Sequence, residues 1–398
     1  MTCRASLLHN LFIASEGEVE HKGLVKDCEM LTKEVRVHGA RYFSFGAREL
    51  AEELGRLDGV SSDEVEIIKC ECNPTVLSAD AKGSLIEIKG EAHLFAVAAI
   101  GDEIVRMEKS VPYEQSIEIE EALPAGAALS ACAYCTSSFA NVNNENSADG
   151  GDCYAALVMS VSLECDARAD FNSVGSVVAD AFLPYCVCEC EYDNFAYSEL
   201  MLSSFDVKSF SAETSGREWG VDKLRDVIEC EAKVGAVKCE FSGEELQIVS
   251  EIAFNVVARD GGGAYLSLRC PLEYKRSVKV GNTEGCRAEI HLSPSCARLM
   301  HDGDKLYFSC NVSESVSVER DASVPYLKSI SASPKQEGAA GVITVLYAAP
   351  EETVFEISKS YSIPCKTLIK CNPESLSAEF GDNYSLPLKE SKKLLIIR

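Results

Sequence analysis

The side chains from which a metal, redox or catalytic site would be built are cysteines, histidines and acidic pairs. Cys132 and Cys135 are separated by two residues, the spacing of half a zinc site or of a redox dithiol. A tetrahedral zinc site needs a second close pair at a suitable spacing, and the sequence does not supply one. We therefore interpret both cysteines as structural.

The six histidines and the acidic pairs give no catalytic motif either. No two histidines lie four residues apart, the spacing at which a helix presents both to zinc. His93 falls on the polar side of an alternating segment, which predicts an exposed side chain. Adjacent acids such as Glu351 and Glu352 point apart on a solvated surface. Since the chain also lacks a nucleophile elbow and a phosphate-binding loop, we expect no enzyme, no metal and no cofactor.

Composition narrows the classes of partner. The 63 acidic residues exceed the 38 basic ones, and the formal net charge is -25. Such a surface repels nucleic acid and anionic lipid, so neither is an expected partner. No apolar run approaches the roughly 20 residues of a membrane helix. Residues 7–14 lack the features of a signal peptide. We expect a soluble cytoplasmic protein without membrane insertion.

The chain has 19 cysteines, many of them at alternate positions, such as Cys186, Cys188 and Cys190. Neighbours on one face of a strand do not easily form a disulfide. Free cysteine behaves as a small apolar residue. The pattern therefore predicts mostly reduced, buried thiols in a reducing compartment.

An alternating segment occurs twice, about 160 residues apart, at residues 67–98 and 227–258. The matched positions are Cys70 and Cys230, Gly83 and Gly243, Ile88 and Ile248, Glu91 and Glu251, and Leu94 and Phe254. A period of two residues is typical of half-buried strands. We predict a mainly β protein with two repeated antiparallel β-sandwich-like domains and a small C-terminal β-α-α-β module.

The predicted organisation has six parts. They are an N-terminal segment with a helix (1–62), a first β repeat (63–165), connecting strands (166–226), a second β repeat (227–330), a linker (331–341) and the module (342–398). The helix of the first part is placed at residues 46–57, where the apolar residues have helical spacing.

In the module, Thr353 and Glu356 form a capping box at the start of a helix. A second helix begins near Pro364 and ends at Asn372, because the residue before a proline disfavours helix. Residues 394–397 form the closing strand.

The module resembles a LysM domain. The matching residues are 352–358, Tyr361-Ser362-Ile363, Leu368, Asn372-Pro373 and the ending 388–397. Two β repeats followed by this module resemble the SPOCS domains of SipL-like spore morphogenesis proteins. That likeness is carried by residues 86–98, 111–119, Asp180-Ala181-Phe182 and 185–192.

The resemblance implies a sporulating clostridial-type bacterium and a place in the mother cell, at the forespore surface. It also implies docking to the spore coat ATPase scaffold. Partner- or glycan-binding residues carried over from the LysM motif are Glu351, Glu352, Thr353, Val354, Phe355, Ile363, Asn372 and Pro373. Where that family has Gly-Asp before the threonine, this chain has Glu351-Glu352, and Ser391 replaces a later glycine. We therefore expect a protein partner, with peptidoglycan as the alternative and an undetected enzyme as a third reading.

Overall fold

The computed structural model describes residues 24, 27–146, 153–334, 343–380 and 384–397. The chain is mainly β, as the sequence predicts. The strands of the described residues are β1 (Glu29–Ser44), β2 (Arg48–Asp58), β3 (Val65–Lys82), β4 (Leu85–Ile100), β5 (Glu103–Glu118), β6 (Ala128–Asn146), β7 (Cys153–Phe182), β8 (Cys186–Ser215), β9 (Leu224–Val234), β10 (Lys238–Ser242), β11 (Glu245–Asp260), β12 (Tyr265–Lys279), β13 (Cys286–Asp302), β14 (Lys305–Pro334), β15 (Ile343–Ala348) and β16 (Lys392–Ile397). Their α-helices are α1 (Val354–Tyr361), α2 (Cys365–Cys371) and α3 (Pro373–Phe380).

The first β-sandwich consists of two sheets that face each other. One is the antiparallel sheet β3-β4-β5, and the other is built around β7. Strand β7 pairs with β1, β2 and β6. Alternate side chains of β4 and β7 are fully or almost fully buried in one core, among them Ile86, Ile88, Leu94, Met159 and Leu163. The two-residue period of the sequence therefore marks the inward faces of both sheets.

The second β-sandwich repeats this arrangement. Strand β11 lies between β12 on one side and β9 and β10 on the other, as β4 lies between β5 and β3. The facing sheet has the order β13-β14-β8. Residues 84–98 and 244–258 thus fall on the middle strands of equivalent sheets, as the repeat predicts.

Each repeat is longer than the part that the sequence echo shows. Strands β1 and β2 precede the first echo and join the sheet of β7, just as β8 precedes the second echo and joins the sheet of β14. The predicted boundary at residue 165 falls inside β7. Residues 166–226 hold the end of β7, all of β8 and the start of β9; residues 166–172 and 200–226 belong to the compact unit of the two sandwiches, and residues 173–199 belong to a second unit.

The helix predicted at residues 46–57 is wrong, because this stretch contains β2. It pairs antiparallel with β7, with Leu50 opposite Val161, and a bulge at Leu54 shifts the register. Both leucines pack against the first core. Pairing with a buried strand overrides the helix propensity of this segment.

The chain divides into two compact units. Residues 38–172 and 200–320 belong to the first unit, which contains the two cores. The second unit contains residues 173–199 and 321–398, and with them the C-terminal module and the outer ends of β7, β8 and β14.

Seventeen cysteines of the described residues carry free thiols. Five of them are buried, namely Cys72, Cys165, Cys270, Cys310 and Cys365. Cys132 and Cys239 are exposed, and the others are half-buried. The prediction that most cysteines are buried is therefore wrong for the described residues, because several cysteines lie near strand ends or on sheet edges.

Candidate partner-docking site

The C-terminal module has a two-stranded antiparallel sheet, β15-β16, with helices against one face. The buried side chains of that face include Ala348, Leu394 and Ile396. They share one core with Val354 and Leu368 from the helices. The first strand, the first two helices and the closing strand follow the predicted β-α-α-β order, but a third helix, α3, stands between α2 and β16, so the module has the order β-α-α-α-β.

Helix α1 begins with the predicted capping box. The Thr353 hydroxyl accepts a hydrogen bond from the Glu356 N–H at 3.1 Å, and the Glu356 carboxylate accepts one from the Thr353 N–H at 2.8 Å. These bonds satisfy two of the backbone groups that a helix start leaves unpaired. They fix the direction in which the loop enters α1.

The loop before α1 is paired with the loop before β16. The Glu351 N–H donates to the Leu388 carbonyl at 2.9 Å, and the Leu388 N–H donates to the Glu352 carbonyl at 2.9 Å. The Phe355 N–H donates to the Tyr384 carbonyl at 3.1 Å. The main-chain groups of the loop before α1 and of the loop between α3 and β16 therefore bond to each other.

Asn372 connects α2 to β16. Its side-chain amide donates to the carbonyls of Leu368 and Leu395, each at 2.8 Å, and its oxygen accepts from the Leu395 N–H at 2.6 Å. The residue is buried. Its contacts hold the helix against the strand.

The eight residues predicted to bind a partner divide into three groups. Thr353 caps helix α1 and the buried Asn372 ties α2 to β16 through the bonds described above. Val354, Phe355 and Ile363 are at most 1% exposed and lie in the core. A ligand does not reach them unless the core opens. Glu351, Glu352 and Pro373 have exposed side chains. The binding role itself remains a prediction for these residues.

The outer face of the β15-β16 sheet is an apolar surface that the residue-based prediction missed. Ile343, Val345 and Tyr347 are 63%, 48% and 73% exposed. They lie opposite Ile397, Leu395 and Lys393 of β16, in that order. We call these six residues the outer face. The sequence signal for the outer face is the run ITVLYA of β15, which has apolar residues at neighbouring positions. Neighbouring residues of a strand point to opposite faces, so a sheet that is covered on one face leaves some of these apolar side chains exposed on the other.

A positive charge borders the outer face. The Lys393 ammonium lies 5.9 Å from the centre of the Tyr347 ring, within the range of a cation–π contact. Within the described chain the sheet has two strands, so β15 and β16 each present an edge. An added strand would find main-chain partners there and apolar side chains beside them.

The opposite side of the module is anchored within the second unit. The Phe355 ring meets Phe182 edge-on, with ring centres 5.3 Å apart. The Lys359 ammonium lies 2.7 Å and 2.5 Å from the two carboxylate oxygens of Asp180. The Tyr185 N–H donates to the Ser362 carbonyl at 2.8 Å. Removing the module would expose Phe182, which is 2% exposed in the intact chain.

Other titratable groups are engaged in the fold. His93, predicted to be exposed, is buried. It lies 3.4 Å from the Ser110 hydroxyl and 3.5 Å from the Glu108 carboxylate, and beside Phe95, whose face of the sheet packs against Ile228 of the second repeat. Across the parts that the structure describes, no group of three or more histidines, cysteines and acids has a metal-binding arrangement. Among the described helices, none has the length and apolar character that a membrane crossing requires.

Comparison with known protein families, curated proteins and solved structures gives no match to this chain.

Proposed function

We propose that this chain is a non-enzymatic assembly protein that docks another protein through the outer face of the β15-β16 sheet. The observation that carries the proposal is the exposure of Ile343, Val345 and Tyr347 side by side on a sheet whose other face is buried. Contiguous exposed apolar groups on a folded protein mark interaction surfaces. Tyrosine is also enriched at the energetic centres of such surfaces.

The identity of the partner rests on the SPOCS-plus-LysM resemblance. It points to the spore coat ATPase scaffold at the forespore surface, on the mother-cell side. The net charge of -25 suits a protein partner better than a nucleic acid or an anionic membrane. A partner strand with alternating apolar and acidic side chains would match the apolar face and Lys393 together.

Glycan binding is the alternative that the LysM likeness supplies. It is disfavoured because the main-chain groups of the loop before α1 and the loop before β16 bond to each other, from Glu351 to Leu388 and from Leu388 to Glu352. A sugar would have to break these bonds to reach the backbone. Losing such paired groups costs about 1 kcal/mol or more each.

The test uses the full chain, because the module is packed within the second unit. Tyr347→Glu and Val345→Lys place charges on the outer face, and Lys366→Glu, an exposed change on α2, is the matched control. We expect each outer-face variant to bind the purified coat scaffold ATPase at least about tenfold more weakly, or about 1.4 kcal/mol. The control should bind as the unchanged chain does, and all three should keep their melting temperature.

Titration calorimetry measures the affinities, and co-sedimentation with insoluble peptidoglycan tests the alternative. Unchanged scaffold affinity in both outer-face variants would reject the proposed surface. Retention of the full chain on peptidoglycan, unchanged in Tyr347→Glu and Val345→Lys, would establish the glycan reading instead.

A further inference from the structure

Two cysteines of the first sandwich lie on neighbouring strands of opposite sheets. Cys72 is on β3 and is 7% exposed, and Cys135 is on β6 and is half-buried at the edge of the same core. The Ser138 hydroxyl donates to the Cys70 carbonyl at 3.1 Å, which fixes β6 beside β3. Because Cys72 follows Cys70 by two residues and Cys135 precedes Ser138 by three, both side chains enter the core at the same junction of the two strands.

The two thiols have unequal environments. Cys135 lies where the pairing of β6 with β7 shifts register, and its sulfur contacts the Ser137 carbonyl at 3.1 Å on the exposed side. The hydrogen bond from Cys72 outweighs burial and lowers the pKa of Cys135 to about 7. The same contact, together with burial, raises the pKa of the Cys72 thiol. Cys135 is therefore half-buried and partly a thiolate near neutral pH, and Cys72 is a buried thiol.

We propose that Cys72 and Cys135 form a redox-modification site, in which a hydroperoxide oxidises Cys135 and Cys72 converts the product to a disulfide. An accessible thiolate with a resolving cysteine beside it is the arrangement of thiol redox sensors. Within the fold, Cys72 fills a position that alanine can also fill, as the second repeat shows.

The second repeat has other residues at both positions. Cys72 lies opposite Leu94 on β4, and Ala232 lies opposite Phe254, the matching residue of β11. Cys135 lies opposite Leu163 on β7, and Leu292 lies opposite Glu314, the matching residue of β14. The paired thiols are therefore particular to the first repeat. Cys72→Ala copies a side chain that the same fold already uses.

The chemistry balances with the peroxide as the two-electron oxidant. The Cys135 thiolate attacks one peroxide oxygen, the O–O bond breaks, and a sulfenic acid forms while the alcohol leaves after taking a proton. The Cys72 sulfur, which gives up its proton, then attacks the sulfenic sulfur and expels water. The sum is two thiols and one hydroperoxide giving one disulfide, one alcohol and one water.

The disulfide would join β3 and β6, strands of opposite sheets of the first sandwich. It would constrain the unfolded chain over the 63 positions that separate the two cysteines (135 minus 72). Oxidation should therefore raise the melting temperature of the full chain by several degrees.

The experiment treats the reduced full chain with one equivalent of hydrogen peroxide, followed by alkylation and non-reducing peptide mass spectrometry. We expect a peptide pair that links Cys72 to Cys135. In Cys72→Ala, dimedone should label Cys135 as a sulfenic acid. Cys239→Ser, which removes an exposed cysteine, should keep the linked pair.

Alkylation rates give a second readout that needs no oxidant. Without the donor at Cys72, Cys135 should react with iodoacetamide about fivefold more slowly at pH 7, because the loss of thiolate outweighs the gain in nucleophilicity. The proposal fails if peroxide labels Cys135 with dimedone equally in the unchanged chain and in Cys72→Ala. It also fails if the crosslink joins Cys135 to another cysteine.

Discussion

Lys69 and Glu229 occupy equivalent positions of the two repeats and form an ion pair with each other. Lys69 lies opposite Val97 in the first repeat, and Glu229 lies opposite Val257 in the second. The two valines belong to one apolar cluster between the sandwiches. Such contacts between equivalent positions are those of a two-fold interface, so the repeats pack within the first unit as the halves of a symmetric dimer do.

The first prediction concerns this ion pair. Burial opposes the charge on Lys69, but hydrogen bonds to Glu229 and Glu71 outweigh it and raise the pKa of Lys69. We expect Lys69→Glu to lower the free energy of unfolding by about 1–2 kcal/mol, because it faces two acids. The double reversal Lys69→Glu, Glu229→Lys should recover about half of the loss.

Urea unfolding of the four proteins of this double-mutant cycle measures the coupling. The exposed pair Lys82 and Glu87, at 2.7 Å, is the control, and its reversal should change stability by less than about 0.5 kcal/mol. A coupling energy near zero for the 69–229 pair would contradict the symmetric interface as a stabilising contact.

The second prediction concerns Gly90 on β4. A methyl group there would collide with the Thr75 carbonyl and with the Tyr113 ring, whose hydroxyl donates to that carbonyl at 3.2 Å. We expect Gly90→Ala to cost at least about 2 kcal/mol of unfolding free energy, since neither neighbour can move freely in the core. Gly46→Ala is the control, because nothing lies within 4 Å of its added methyl group. Equal melting temperatures for the two variants would contradict this packing.

His38 lies between two carboxylates in the first unit. Its Nε2 is 3.0 Å from Asp170 and its Nδ1 is 3.0 Å from Glu319. The Arg168 guanidinium contacts the same Asp170 oxygen at 2.9 Å, and the Ser203 hydroxyl donates to its other oxygen at 3.3 Å. The two ring nitrogens therefore each face a carboxylate.

The third prediction follows from this cluster. Burial raises the pKa of Asp170, but the hydrogen bond from His38 and the charge of Arg168 outweigh burial, and the net pKa is lowered. A carboxylate with a lowered pKa stabilises the fold above its unfolded pKa of about 3.9, and this is lost as the pH falls through the folded pKa. Asp170→Asn should therefore cost about 3 kcal/mol at pH 7 and progressively less below about pH 4.

Urea unfolding at several pH values between 3 and 7 measures this difference. Glu120→Gln, at an exposed acid, is the control and should leave the pH profile unchanged. A stability difference between Asp170→Asn and the unchanged chain that stays constant over this range would contradict the assignment.

The fourth prediction separates structure from binding at Asn372. Asn372→Asp keeps the shape but removes the two donors to Leu368 and Leu395, so two carbonyls lose their partner. We expect a loss of about 2 kcal/mol or more and faster hydrogen exchange in the β16 peptide. Lys366→Glu on the same module should leave exchange in β16 unchanged. Unchanged hydrogen exchange in Asn372→Asp would show that the bonds from Asn372 to Leu368 and Leu395 are not needed to hold β16 in place.

The mainly β class, the middle strand of each repeat and the capping box can be predicted from the sequence, because each depends on the pattern of neighbouring residues. The alternation around Leu94 and Phe254 reports burial directly, and the Thr353 and Glu356 spacing defines a helix start. The spacing of Leu50 and Leu54 predicts a helix, but a spacing of four residues also places two side chains on the same face of a strand. The spacing alone therefore does not distinguish the two structures. The strand partner of Leu50, Val161, lies over 100 residues away and is not visible in a local window.

The site could be predicted only as far as the module. The resemblance to a LysM motif led to the prediction of Val354 and Phe355 as binding residues. Their side chains are buried in the core, so their match to the motif reflects packing rather than binding. The outer face depends on which side of β15 the helices cover, and the run from Ile343 to Ala348 does not encode this. Likewise, the contact of Cys72 with Cys135 arises from the packing of β3 beside β6.

The pairing of β1 with β7, and of β8 with β14, has a consequence for synthesis on the ribosome. β7 begins 109 residues after β1 ends (153 minus 44), so β1 waits about 5–20 s for its partner at ordinary elongation rates. By the time β14 emerges, β1 is already paired, and β14 has only β8 to join. A chain diluted out of urea has no such order, since β1 and β8 meet both equivalent partners at once. Synthesis from the N-terminus therefore favours the pairing of β1 with β7. During refolding from urea, β1 and β8 can each pair with either β7 or β14, and incorrect pairs must dissociate before the native pairs form.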